Sequence, residues 1–535
     1  MQKCIIGVSL LSSLLSLPAY GAPQNPEPAV SIHLAALQGN LKAVEQHIAQ
    51  GTDLNKRDAF GSVPLLLAVT FGRTDVARAL IEAGADLKIT DKYGSTPLHL
   101  AALFGRTNMI RVLLENGADK YLRNHNGSTP FDIVAIPFEY DTGLYDQLES
   151  ALGPLGLQLD YERIKTARPD ISGMLRATPK ELEAVDYTPE PGNDWRVSTP
   201  EEQNLTPRLV AELYHDAGQL ETIYSLLVIK NDHLIAEGYF NEGSVEQLSK
   251  RASVTKSFTS AFVGLALDKG CLTSVDQKMM EFFPEIADSI SDPRKSQITI
   301  RHMLQMRGGY PWEETDPTYW EALWTGKYIH FIEDIPLVCD PGTCFNYSNL
   351  TSNWLAVIVT RACGTDLKTF GQEHLFESLG MKIGHWNRDL DGYYIGSGDI
   401  EFTARDMAKF GLLYLNHGEF AGKRILPSDW VEESLQSYSD DAWLTTDRLN
   451  TVGRYFRDLG YGYQWWSATV GDRRINFAWG HGGQLIVLLD DPDMVIVTTA
   501  DPFWGKQLHF QSWRYEQSII NVVGKFIQSI PNARK

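Results

Sequence analysis

Gly94-Ser-Thr-Pro-Leu-His-Leu-Ala-Ala102 decides how the N-terminal part of this chain folds, because pieces of it return at a fixed step. Asp58-Ala-Phe-Gly61, Asp91-Lys-Tyr-Gly94 and Asn124-His-Asn-Gly127 stand 33 residues apart. Gly51-Thr-Asp, Gly84-Ala-Asp and Gly117-Ala-Asp keep the same step, as do Ile32-His-Leu-Ala35, Leu65-Leu-Leu-Ala68 and Leu98-His-Leu-Ala101. A unit of that length holds a turn and two antiparallel helices but no core of its own, so each unit must stack on the next. The small alanines allow close helix contact, and the leucines and isoleucines are left to bury between neighbours.

These spacings, and the Gly94 to Ala102 stretch above all, resemble the ankyrin consensus. The fourth unit, from Asn124 to about Leu152, keeps Gly-Ser-Thr-Pro-Phe and then degenerates, as a capping repeat does. The resemblance implies a concave face for a protein partner or, alternatively, a cap docked within the same chain. The solenoid is expected over residues 23–155. Residues 156–200 are punctuated by Pro169, Pro179, Pro189, Pro191 and Pro200 and read as a linker with short helices.

Beyond the linker the period changes. Tyr224-Ser-Leu-Leu-Val-Ile-Lys and Leu234-Ile-Ala-Glu-Gly-Tyr-Phe flank Asn231-Asp232-His233, a hairpin signal. Residues 253–269 carry apolar side chains at helical spacing and stop at Gly270. Leu485-Ile-Val-Leu-Leu and Met494-Val-Ile-Val-Thr-Thr, split by Asp490-Asp-Pro-Asp, read as buried antiparallel strands, and residues 518–530 as a closing helix. Strands at both ends with helices between predict one large mixed α/β domain over residues 201–535, an antiparallel sheet flanked by helices. The chain is therefore multidomain, an all-α solenoid followed by this domain.

Its 535 residues are 43% hydrophobic and 21% charged, which excludes wholesale disorder and a collagen-like rod. A net charge of −19 argues against nucleic acid or an anionic membrane surface as partner. Residues 1–22 read as a secretory signal: Lys3 is the basic start, residues 5–17 are apolar or small, and cleavage falls after Gly21 or Ala22. The expected product is exported, periplasmic or secreted, with no membrane span in the mature chain. Cys271, Cys339, Cys344 and Cys363 remain after cleavage. Cys339 and Cys344 bracket a turn and are placed to pair across it; the four allow three connectivities, and reduced buried thiols are the other alternative. No CxxC or HExxH spacing occurs, so no metal is expected.

Three short patterns carry chemistry. Ser253-Val-Thr-Lys256 opens the predicted helix and places a hydroxyl and an amine on one face, at an end whose partial positive charge favours a developing anion. A lysine held neutral can take the serine's proton. Tyr347-Ser-Asn349 offers a phenol which, near a lysine, can exist partly as phenolate and move protons, and an amide that can fix the lysine or a substrate. His481-Gly482-Gly483 precedes the strand at Leu485; its glycines let a substrate approach the backbone, and the N–H of Gln484 can join that of Ser253 as an oxyanion hole. Singly each pattern is weak, since about two chance Ser-x-x-Lys matches are expected in a chain this long.

In this order the three resemble the serine β-lactamase-like superfamily: class C β-lactamases, D-Ala-D-Ala carboxypeptidases and related esterases and amide hydrolases, with a likeness to the 6-aminohexanoate-dimer hydrolase type around Tyr393-Tyr394, Phe402-Thr-Ala-Arg-Asp406 and Tyr463-Gln-Trp-Trp466. The resemblance runs from about Thr199 to the C-terminus. It implies Ser253 as nucleophile, Lys256 as its activating partner, Tyr347 as proton shuttle and Asn349 in support. His481, Gly482, Gly483 and Gln484 would line the substrate and oxyanion positions. The reaction implied is acyl transfer from a small ester or amide through an acyl-enzyme, without metal or cofactor. His481 stands where a lysine typically anchors a substrate carboxylate; a neutral histidine there weakens the case for potent β-lactamase activity. The alternatives are a D,D-carboxypeptidase or β-lactamase, or an inactive hydrolase domain in an ankyrin-mediated binding protein. Trp312, Trp320 and Trp324 are candidates for an aromatic wall or lid.

Overall fold

The computed structural model describes residues 30–192, 194–320, 326–440, 442, 451–503 and 509–532. The signal segment 1–22 and Trp324 lie outside the described residues. The chain divides between Thr178 and Pro179 into two compact units.

In the first unit each repeat is set by one side chain. Asp58 Oδ1 accepts the N–H groups of Phe60 and Ser62 at 2.9 and 2.8 Å, Asp91 those of Tyr93 and Ser95 at 2.8 Å each, and Asn124 those of Asn126 and Ser128 at 3.0 and 3.1 Å. Side-chain turns of this kind are why Asp and Asn recur there. Gly94 closes one such turn at φ 75°, and a Cβ on it would lie 2.6 Å from His125 Cδ2. Thr96 and Thr129 then cap helices Pro97–Leu103 and Pro130–Ala135, with His99 and Asp132 completing capping boxes and proline at the first helical position. Ala35, Ala68 and Ala101 are fully buried where paired helices meet.

The unit does not end where the repeat pattern fades. Residues 156–178, expected as linker, contain helix Tyr161–Leu175. Its Ile171 and Leu175 enter the repeat core, and Ile164 packs in a second cluster with Phe104, Phe138 and Tyr145. Buried Arg168 donates to Asp141 Oδ2 at 2.6 Å and to the Ile136 carbonyl at 2.7 Å. Pro169 sits inside this helix, and tertiary packing overrides the breaker signal that marked a linker. Residues 179–200 belong to the second unit: Arg196–Val197 forms a parallel strand beside His233–Leu234, and Arg405 binds Asp194, the Glu190 carbonyl and Glu237.

The second unit is built on a nine-stranded sheet. In spatial order its strands are Arg196–Val197, His233–Tyr239, Ile223–Lys230, Met494–Ala500, Gln484–Leu489, Arg473–Gly480, Trp466–Val470, Phe456–Tyr461 and Thr451–Val452. Every pairing but the first is antiparallel. The expected hairpin turns on Asn231 and Asp232, both at positive φ of 48° and 61°, the backbone that two-residue hairpins require. The central strands Gln484–Leu489 and Met494–Ala500 are buried at every residue, as a sheet covered on both faces demands. Leu227, Ile229, Ile486, Leu488, Val495 and Val497 share a core with helices Thr255–Asp268 and Ala404–Leu415. Helices Pro207–Ala217 and His509–Ser529 pack on each other and on the sheet, the last starting earlier than the sequence pattern indicated.

Candidate functional site

Ser253 lies in a single 3₁₀ turn, Ala252–Val254, that feeds helix Thr255–Asp268. Ala252 holds φ 45°, a left-handed backbone that costs a non-glycine residue roughly 1 kcal/mol and turns the chain sharply just before the serine. The turn packs against strands Arg473–Gly480 and Gln484–Leu489. Gly480 makes this contact possible: a Cβ there would stand 2.4 Å from the Arg251 carbonyl and 3.2 Å from the Ser253 nitrogen. Ser249–Lys250 pairs with Glu401–Phe402, and this short ladder brings residues 396–399 alongside.

Lys256, one helical turn after Ser253, is buried. Its Nζ donates to Ser253 Oγ at 2.9 Å, to Asn349 Oδ1 at 2.7 Å and to the Ser397 carbonyl at 2.9 Å. Burial lowers its pKa to about 8, against the opposing pull of the Glu314 and Glu313 carboxylates. The Tyr347 ring centre lies 4.8 Å from the same nitrogen. Tyr347 is held in an aromatic box, its ring 5.5 Å from Trp466, 5.6 Å from Trp312 and 6.1 Å from Tyr461. Burial and the Glu314 and Glu313 charges push its phenol well above the usual range, while a hydrogen bond with Ser253 pulls the other way. The partial phenolate expected for Tyr347 is therefore disfavoured, while burial brings the Lys256 amine down towards neutrality.

Asn349 begins helix Asn349–Cys363, with Ser348 as its cap. Its Nδ2 donates to Glu314 Oε1 at 2.8 Å. Glu313 is fully buried and accepts from the Ser348 hydroxyl and, at 3.1 Å, from the Asn349 N–H. Burial pushes its carboxyl up to about 7, against the pull of those donors.

His481 opens the turn after strand Arg473–Gly480, with about half its side chain exposed. Its Nδ1 is 3.2 Å from Glu516 Oε2, and buried Glu516 also accepts from Trp479 Nε1 at 2.5 Å and Gly482 N at 2.7 Å. The Glu516 hydrogen bond raises the imidazole pKa above its ordinary value, against burial. The expected neutral histidine is thus shifted towards imidazolium by a residue on the C-terminal helix. Gly482 and Gly483, at φ 86° and 93°, face the chain's own Pro502 and Ile519, which a Cβ would meet at 2.6 Å in each case. Packing of the chain on itself accounts for both glycines, where the sequence reading gave them to an approaching substrate. The Gln484 side chain is buried and engaged by Arg251 and Ala500, which leaves only its backbone to serve a substrate.

Ser253, Lys256, Tyr347 and Asn349 therefore meet directly, and the turn that carries Ser253 packs on the two strands between which His481, Gly482 and Gly483 lie. Trp312 lies tilted against Tyr347, Trp320 is half exposed and donates to the Glu314 carbonyl at 3.3 Å, and Trp324 is not among the described residues. Sequence reasoning missed Glu313, Glu314, Ser397, Gly480 and Glu516. Glu313 and Glu314 stand next to Trp312 and Gly480 next to His481, so adjacency could have flagged them; nothing local marked Glu516. Among the described residues no group of three histidine, cysteine, aspartate or glutamate side chains could hold a metal ion. Cys339 and Cys344 are bonded to each other, and Cys271 and Cys363 are free thiols.

The model of the family described as Beta-lactamase matches residues 224–501, and that of ankyrin repeats (3 copies) matches residues 32–124. A 6-aminohexanoate-dimer hydrolase of Paenarthrobacter ureafaciens is 27% identical over 288 residues, covering 51% of this chain and 71% of that protein. Beta-lactamase-like protein 2 of Dictyostelium discoideum is 22% identical over 224 residues, covering 37% of this chain and 40% of that protein. The chain thus spans over two thirds of the first relative's length and less than half of the second's. Among solved structures, an octameric penicillin-binding protein homologue from Pyrococcus abyssi aligns with 18% identity and a TM-score of 0.44, over 57% of this chain and 75% of that one. With its matched domain spanning just over half of the residues, the chain belongs to the β-lactamase family of serine hydrolases and carries ankyrin repeats N-terminal to that domain.

Proposed function

We propose that the protein is an exported serine hydrolase that cleaves an ester or a small amide through an acyl-enzyme on Ser253. The observation that carries this reading is the buried Lys256 amine, 2.9 Å from Ser253 Oγ and with its pKa lowered to about 8. Its neutral form takes the serine proton as Oγ attacks the substrate carbonyl. The backbone N–H groups of Ser253 and Gln484 receive the oxyanion. Tyr347, a neutral phenol beside both groups, relays a proton to the departing alcohol or amine, and water then resolves the acyl-enzyme. The kinship with a 6-aminohexanoate-dimer hydrolase supports small amides as the other substrate class. For export, the supporting observations are the N-terminal signal pattern and the Cys339–Cys344 bond, at home in an oxidising compartment.

Purified protein is expected to turn over p-nitrophenyl butyrate, and Ser253→Ala to lose that turnover by at least about a thousandfold. Equal rates for the two proteins would sink the assignment. One observation favours a second reading, a D,D-carboxypeptidase or β-lactamase: His481, raised towards imidazolium by Glu516, offers a cation to a substrate carboxylate. Covalent labelling of Ser253 by a fluorescent penicillin would move the substrate to that class, and absence of labelling would leave esters and simple amides.

A further inference from the structure

Residues 312–314 and 347–349 meet in register. The Trp312 ring lies 5.6 Å from that of Tyr347. Glu313 accepts from the Ser348 hydroxyl and, with its other oxygen, from the Asn349 N–H at 3.1 Å. Glu314 accepts from the Asn349 side-chain nitrogen at 2.8 Å. Ser348 Oγ, while donating to Glu313, also accepts the Thr351 N–H at 3.1 Å, so it ties the loop to the first turn of helix Asn349–Cys363.

One feature of this arrangement is costly unless it serves the site, and a second governs the Asn349 amide. Glu313 is a fully buried carboxylate whose hydrogen-bond partners are a hydroxyl and a backbone N–H. An apolar side chain would fill that volume without the desolvation penalty. Glu314 is an exposed carboxylate spent on orienting one amide. The Asn349 amide bridges two charges: Oδ1 accepts from the Lys256 ammonium at 2.7 Å and Nδ2 donates to Glu314. Without Glu314 the amide NH₂ loses its acceptor, and the Lys256 N–H at Oδ1 is left to hold the amide against rotation.

We propose that Trp312-Glu313-Glu314 is a clamp that sets Tyr347 and Asn349 against Lys256, with Glu313 and Glu314 as positioning residues for acyl transfer. The proposal rests on the reading of Ser253 as nucleophile. Glu313 fixes the backbone that follows Tyr347, and Glu314 fixes which atom of Asn349 meets Lys256. The charged and titratable groups facing the clamp are Lys256 from the nucleophile helix, Tyr347 from the motif and His481 from the strand turn.

The test uses the full-length protein and p-nitrophenyl butyrate. Glu314→Ala removes an exposed side chain, so folding is retained. Its kcat is expected to fall about tenfold with KM moving less than about twofold, the size of one lost charge-assisted hydrogen bond. Glu314→Gln keeps an acceptor for Asn349 and should recover most of the loss. Glu313→Gln removes an anion that raises the Lys256 pKa, so the rising limb of its pH profile should move to lower pH. A purely structural role would lower the melting temperature and leave kcat and the profile of the folded protein in place. Wild-type kcat and profile in Glu314→Ala and Glu313→Gln would overturn the proposal, as would equal losses in Glu314→Ala and Glu314→Gln. Turnover that survives Ser253→Ala would instead remove the nucleophile reading. The clamp is then decided by a crystal structure of Glu314→Ala: an Asn349 amide turned away from Lys256 supports it, and an unmoved one overturns it.

Discussion

As an ammonium, Lys256 spends its three protons on Ser253 Oγ, Asn349 Oδ1 and the Ser397 carbonyl. Two of those partners are acceptors only, because neither a carbonyl nor an amide oxygen has a proton to return. When the amine loses a proton its lone pair must therefore point at the one partner able to donate, the serine hydroxyl. The surroundings thus fix the direction of proton transfer as well as the pKa. Since burial has brought that pKa down to about 8, kcat/KM for an uncharged ester should climb as pH passes through about 8, when the neutral amine appears. A profile flat between about pH 6 and 9.5 would contradict this assignment of the base. Ser253, Lys256, Tyr347, Asn349 and His481 were all legible because each lies in a short pattern. Ser397, Glu313, Glu314 and Glu516 were not, because what they do depends on contacts between distant parts of the chain.

Among the elements, those with a local signal were read closely. Turn chemistry at Asn231-Asp232 located the hairpin, and unbroken apolar runs located strands Gln484–Leu489 and Met494–Ala500. Helix Tyr161–Leu175 is longer than the short linker helices expected there and packs into the first unit, since it follows a fading repeat, carries Pro169 and owes its place to partners far away in sequence. Its contribution can be measured. Ile171 is fully buried in the repeat core, so Ile171→Ala should destabilise the first unit by about 2–5 kcal/mol, read from urea unfolding of that unit. A change under about 0.5 kcal/mol would mean that the helix merely rests on the surface. The opposite lesson comes from Gly482 and Gly483, whose pattern was seen but whose reason was not. The contacts that need them come from Pro502 and Ile519, outside the motif.

At the scale of the whole molecule, every residue placed in or around the site lies between Ser249 and Ile519, inside the second unit. Residues 179–535 alone are therefore expected to hydrolyse p-nitrophenyl butyrate with kcat/KM within about threefold of the full chain. A loss beyond about tenfold would mean that the repeats take part in the chemistry. The sequence period fixed the class of the first unit because solenoid stability is a sum of like neighbours. It could not place the unit's end, where the neighbours stop being alike.

The buried Glu516 carries a genetic consequence. A reading frame interrupted shortly before its codon would still encode Ser253, Lys256, Tyr347, Asn349 and His481-Gly-Gly. By signature that allele would pass as intact. Its product would nonetheless have surrendered the anion beneath His481 and the acceptor for the Gly482 N–H. Loss-of-function alleles of this gene can therefore hide at the far end of the message, where no diagnostic pattern is found.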